Sequence, residues 1–295
     1  MRTILATQLL FAAIWASPVS QAQTRAWMDP PPVMRIECEE IKTGLYAPHA
    51  EFEATVAQMT AKWKLPWYSI ALESETRPDQ ACYLIPFQSF ADWQADERFL
   101  EENAGFNKED AEFRRKDNEF VSRYHDVAIR YEEELSYRPV FDMVRMRYLV
   151  QFKIHVRPGR QKEFEEARKV YLAAHVKGNV DEHMIAYWAL MGEPLDTYFV
   201  FLPMQLLAEL DQSEAKHKGF AEAIRDNEKH MDELESVAVE SSEIMVFDVN
   251  PRMSYVPVEW KKTDPAFWGP AASPGSGADA PPGKLHSDKQ RKRKN

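Results

Sequence analysis

The residues in this 295-residue chain whose types suit chemistry are its eight histidines, its two cysteines and a scatter of strand-borne aromatics. His155 stands two residues from Lys153 in "VQFKIHV", a run that alternates with the period of a strand, so the two share a face. Both side chains titrate and can pass a proton, which makes His155 and Lys153, on the open face of that strand, candidate catalytic groups lining a pocket. Arg147 and Gln151 fall on the same face and are candidate ligand-binding groups. His217 lies between Lys216 and Lys218 at the start of a helical run, either a third candidate or a solvated histidine. Tyr187, Trp188, Tyr198 and Trp67 crowd the second and third strands of two similar units. On one face they are core; on the other they line an apolar cavity with polar tips, the usual make-up of a small-molecule site.

Some chemistries are absent from the sequence. No GxGxxG or Walker run occurs among the ten glycines, so no phosphate cradle is expected. HExxH and CxxC are missing, and no metal arrangement is predicted. No GxSxG elbow is present, which removes the usual serine-hydrolase reading. The net charge is −10 even though the last twelve residues carry six Lys or Arg against one Asp. A body this acidic repels phosphate backbones, so no nucleic-acid partner is expected for it.

The elements that must position these residues are written twice. "YLIPFQSFADWQ" (83–94) is echoed by "FVFLPMQLLAELD" (199–211), and "HAEFEATVAQ" (49–58) by "QKEFEEARKV" (161–170). "RKDNE" (115–119) matches "IRDNE" (224–228), and "SYRP" (136–139) matches "DVNP" (248–251). Each unit reads as a strand, a helix, two strands, a longer helix and a closing strand. Pro86 and Pro203 are expected to end the third strand of each copy. The order β-α-β-β-α-β, twice, is an α+β class: two ferredoxin-like repeats. Each sheet leaves one face without helices, and two such sheets in one chain can cover each other around an enclosed space.

On "VRPGRQKEFEEA" and "FLPMQLLAELDQSEAKHKGF" the chain resembles the dimeric α/β-barrel superfamily, including its antibiotic-biosynthesis-monooxygenase-like members. The resemblance implies a pseudo-dimeric barrel from one chain. It also implies a small apolar ligand, with cofactor-free monooxygenation or haem binding and degradation as alternatives. A non-catalytic structural protein of the cell envelope is a further one. Haem-degrading members place a proximal histidine on the helix where His217 falls. The sequence leaves any cofactor unknown; none is strongly implied by the resemblance, which raises haem as one possibility.

The cysteines depend on that fold. With the first and third strands read as parallel neighbours, Cys38 and Cys82 come to one end of the sheet. They form either a disulfide or two separate buried thiols.

The expected organisation is a signal peptide over 1–22, a Pro-rich lead-in over 23–33 and repeats over 34–141 and 142–257. An extension over 258–295 follows, disordered and basic from about residue 270. Arg2, the apolar run Ile4–Trp15 and the small residues Ser20 and Ala22 are the marks of export to a periplasm or the outside. No transmembrane span is expected in the body, and the basic tail either touches an anionic surface or is simply solvated.

Overall fold

The computed structural model describes residues 29–269, without the side chains of residues 212–217. The expected signal peptide, most of the Pro-rich lead-in and the basic tail lie outside the described residues. Eight strands close into one barrel. The first repeat supplies β1 (Val33–Ile41), β2 (Ser69–Ser74), β3 (Gln80–Phe87) and β4 (Val121–Tyr131). The second supplies β5 (Tyr148–Val156), β6 (Ile185–Met191), β7 (Thr197–Met204) and β8 (Val239–Tyr255). Around the barrel the order is β1-β3-β2-β8-β5-β7-β6-β4, antiparallel at every junction. Each repeat is thus a ferredoxin-like sheet, and the two join edge to edge at β2–β8 and β4–β6. Closure leaves no open sheet edge, which is the physical gain of duplicating the unit.

Helices cover the outside. The first repeat carries α1 (Tyr46–Trp63), α2 (Phe90–Glu102) and α3 (Ala104–Asp117). The second carries α4 (Gln161–Gly178), α5 (Ser213–Ile224) and α6 (Glu228–Ala238). The long second helix expected in each copy is therefore two helices, broken at Asn103 and at Asn227. Asn103 caps α3 by accepting from the Phe106 amide at 3.2 Å, a bond that favours starting a new helix there. Two of the sequence echoes also fall on different elements in the two repeats. "RKDNE" ends α3, whereas "IRDNE" spans the α5–α6 break; "SYRP" follows β4, whereas "DVNP" lies within β8.

Two further expectations change. Pro86 and Pro203 do not end their strands; each sits one residue inside the end, opposite Met34 and Leu149. The hairpin partners β2 and β6 have already stopped there, so the missing N–H costs no ladder bond. β1 and β3 are antiparallel, because the crossover through α1 makes β2 parallel to β1 and the hairpin then reverses β3. Cys38 stands mid-strand directly opposite Cys82, with Cα atoms 4.1 Å apart, and the two are joined as a disulfide. Lys153 opposite Phe199 occupies the matching pair in the second repeat.

The barrel interior is packed, not hollow. Met34, Ile36, Ile70, Leu84, Ile129, Tyr187, Phe199, Phe201 and Phe247 interdigitate there. Two short helices, α7 (Val258–Thr263) and α8 (Pro265–Trp268), add Trp260 and Trp268 to the same cluster. The Trp268 indole donates to the Val144 carbonyl at 2.8 Å, which fixes the helices over one barrel end. Among the described residues no helix is long and apolar enough to cross a membrane.

Candidate binding cleft and carboxylate–histidine cluster

The two repeats distribute polarity in opposite ways. In β5, Phe152 and Ile154 point outward and pack with Phe164 and Tyr198 under the helices, while Leu149 points into the barrel. In β1 the apolar residues Met34 and Ile36 point inward, which leaves Arg35, Glu37 and Glu39 on the side covered by helices. The layer between sheet and helices is therefore apolar in the second repeat and charged in the first.

Helix packing follows the same division. In the second repeat α4 and α5 meet at Gly178 and Gly219, where a Cβ on Gly219 would lie 2.5 Å from the Gly178 carbonyl oxygen. Under the first repeat's helices a cleft of about 440 Å³ remains. Phe52, Trp67, Trp93, Phe106 and Phe113 form its apolar walls, and Arg35, Glu37, Glu53 and Asp96 bring polar groups to it. Its walls are braced by stacking of Phe87 on Trp93 and of Phe52 on Phe113, at 5.1 and 5.5 Å between ring centres.

Beside the cleft, whose lining includes Glu39, Glu53 and Asp117, four residues from three elements converge: Glu39 of β1, His49 and Glu53 of α1, and Asp117 at the end of α3. His49 and Glu53 are four apart, so α1 shows both on one face. One donor atom from each residue lies within 4.8 Å of the others. His49 Nε2 is 2.9 Å from Glu39 Oε2 and 3.7 Å from Asp117 Oδ1. The Tyr124 hydroxyl donates to Asp117 Oδ2 at 2.6 Å, while Oδ1 is buried without a hydrogen-bond donor. His49 is fully buried and its Nδ1 has no hydrogen-bond partner.

Burial sets the electrostatics. It pushes the Glu53 carboxyl well above the carboxylate range, and the Glu39 and Asp117 charges push the same way. Burial also raises Glu39, against the lowering effect of its His49 hydrogen bond. Elsewhere in the cleft lining, burial first and then the Asp92 and Glu97 charges move Asp96 up to about 7. A group titrating there can exchange a proton with a guest near neutral pH.

The structure scatters the residues singled out from the sequence. Gln151 and Tyr187 are buried on the barrel's interior face. Arg147 lies at the end closed by α7 and α8, with its guanidinium paired to Asp264 and 3.7 Å from the Phe267 ring centre. Lys153 pairs with Glu193 and Glu243 at 3.4 Å each, and His155 Nδ1 lies 2.9 Å from the Thr197 hydroxyl. Trp188 and Tyr198 pack in the second repeat's helix-covered layer. His217 is carried by α5, and its side chain lies outside the described residues. Trp67 alone of this set lines the cleft. His175, which flanks the turn after α4 in sequence, is fully buried in the last turn of that helix.

Glu39, His49, Glu53, Asp117 and Asp96 were not visible as a site. The signal that existed is short: "HAEFE" sets a histidine and a glutamate one helical turn apart, and "RIECEE" repeats a charged residue at every second strand position.

No family model and no curated protein matches this sequence. Solved structures of similar fold include a proposed monooxygenase from Lactobacillus acidophilus NCFM, 10% identical, covering 74% of this chain and 93% of its own, at a TM-score of 0.47. A proposed monooxygenase from Fusobacterium nucleatum is 11% identical over 74% of this chain and 92% of its own, at 0.48. A mutant chlorite dismutase from Candidatus Nitrospira defluvii is 9% identical over 78% and 95%, at 0.44. At such scores the likeness carries no functional argument. The strand order and closure of this chain make one eight-stranded antiparallel α/β barrel, built from two ferredoxin-like repeats in a single polypeptide.

Proposed function

We propose that this chain binds a small, largely aromatic molecule carrying a cationic or hydrogen-bond-donating group, in the cleft beneath the first repeat's helices. The observation behind this is the cleft itself: about 440 Å³, aromatic walls, and the carboxylates of Glu37, Asp96 and Asp126 in its lining. That size and make-up suit a small-molecule site. The reading moves the guest from the barrel interior, which side chains fill, to the first repeat. Haem does not fit this cleft. Its two propionates would face Glu37, Glu39, Glu53, Asp96, Asp117 and Asp126, with Arg35 and Arg114 as the cleft's basic residues.

Native mass spectrometry of gently purified protein, beside its denatured mass, tests the reading. The proposal expects an adduct that is lost on denaturation and missing from an Ala57→Phe variant, whose ring would occupy the cleft. An adduct kept equally by that variant refutes the cleft as its place.

A second reading is turnover of the guest by cofactor-free oxygenation, and Asp96 supports it as a general base poised near neutral pH. Oxygen consumption with the bound compound should then vanish in Asp96→Asn while binding survives. Consumption unchanged in that variant removes Asp96 from the role. Export is proposed as well, on the apolar run after Arg2; an N-terminus at Met1 in protein recovered from the producing cell would oppose it.

A further inference from the structure

We propose that Glu39, His49, Glu53 and Asp117 form a binding site for one divalent transition-metal ion. Three carboxylates and one imidazole converge from three elements, with a donor atom of each within 4.8 Å of the rest. A cation with bonds of about 2.0–2.2 Å holds tetrahedral donors about 3.4 Å apart, so side-chain shifts of under about 1 Å would close the set. A mixed oxygen and nitrogen set of this kind suits Mn²⁺, Fe²⁺ or Zn²⁺.

The independent observation is Asp117. The residue is 8% exposed, and its Oδ1 is buried with no donor, aimed at His49 Nε2 from 3.7 Å. An oxygen in that position costs free energy unless something positive meets it. Among the described residues no lysine or arginine pairs with Glu39, Glu53 or Asp117, so local side chains leave three buried carboxylates facing one imidazole. A divalent ion would supply the missing charge and would bond the atoms that hydrogen bonding leaves over. Tyr124, which donates to Asp117 Oδ2, would act as a positioning residue for that ligand.

The site does not depend on an organic guest, and its test uses none. The full chain is treated with a chelator, dialysed and titrated with Mn²⁺, following loss of the free-ion electron paramagnetic resonance signal. One Mn²⁺ per chain is expected, with a rise in melting temperature. Glu53→Gln and Asp117→Asn, checked for folding by circular dichroism, should each weaken binding at least tenfold. Glu193→Gln, in the charged group around Lys153, should leave it unchanged. Zn²⁺ should compete. Absence of stoichiometric binding together with an unmoved wild-type melting temperature overturns the proposal. So does equal binding by folded forms of all three variants, which would mark a diffuse acidic surface. Should the variants unfold, the wild-type stoichiometry and melting shift still decide.

Discussion

His49 Nε2 lies 2.9 Å from Glu39 Oε2, tying the first helix to the first strand beneath a layer of aromatics. His49 is fully buried and Glu39 nearly so. Removing one partner strands the other in a medium that solvates it poorly. His49→Ala is therefore expected to destabilise the chain by about 3–5 kcal/mol, and the double variant His49→Ala/Glu39→Leu by less. Chemical denaturation of the three proteins checks this. A His49→Ala cost no larger than that of the double variant would show the pair to be uncoupled.

The proton held by Asp96 predicts a pH dependence. Its pKa rises from an unfolded value near 4 to about 7 in the folded chain, so between these values the folded state binds the extra proton. Stability from this group is fully present below about pH 4 and is lost as pH rises through about 7. Asp96→Asn should consequently melt several degrees above wild type at pH 8 and show no advantage at pH 4. Melting curves across that window decide, and a gap independent of pH would exclude Asp96 as the cause.

The Cys38–Cys82 disulfide links mid-strand residues inside the barrel, 44 positions apart in sequence. Its loss in Cys38→Ala/Cys82→Ala is expected to cost about 2–5 kcal/mol. Because the second repeat has no counterpart, hydrogen exchange should quicken in β1 and β3 before β5 and β7. Uniform quickening would mean that the bond acts on the whole barrel.

Arg147 joins the barrel to α8 through Asp264 and the Phe267 ring. Arg147→Ala should release the terminal helices and expose Trp268, shifting tryptophan emission to the red while the far-ultraviolet dichroism changes little. Unchanged emission would show that Trp260 and Trp268 hold the helices without it.

The fold was legible because duplication shows in the sequence itself. Two apolar runs ending in Pro-x-Gln mark β3 and β7, and the alternation of "YLVQFKIHV" marks β5. The four echoes were of unequal value: "RKDNE" ends a helix where "IRDNE" spans a helix break, and "SYRP" follows β4 where "DVNP" lies within the longer β8. Strand period told which residues share a face but not which face the helices cover. Lys153 and His155 were read as lining a pocket, yet their face of β5 turns into a packed interior. The useful cleft arises in the other repeat, where Glu37 and Glu39 turn toward the helices. Pairing direction was the other weak point. Cys38 and Cys82 meet because β1 and β3 run antiparallel, a consequence of chain reversal that spacing alone does not reveal. The cluster at His49 needed three separate elements to be docked before any of its contacts existed.

The central claim is that guest binding belongs to the first repeat's cleft. A crystal structure of the gently purified chain tests it most directly. The account predicts density for a small molecule against Trp67, Trp93 and Phe113, within reach of the carboxylates of Glu37 and Asp96. Density among Tyr187, Phe199 and Phe247 inside the barrel, or a cleft filled only by ordered water, would contradict it.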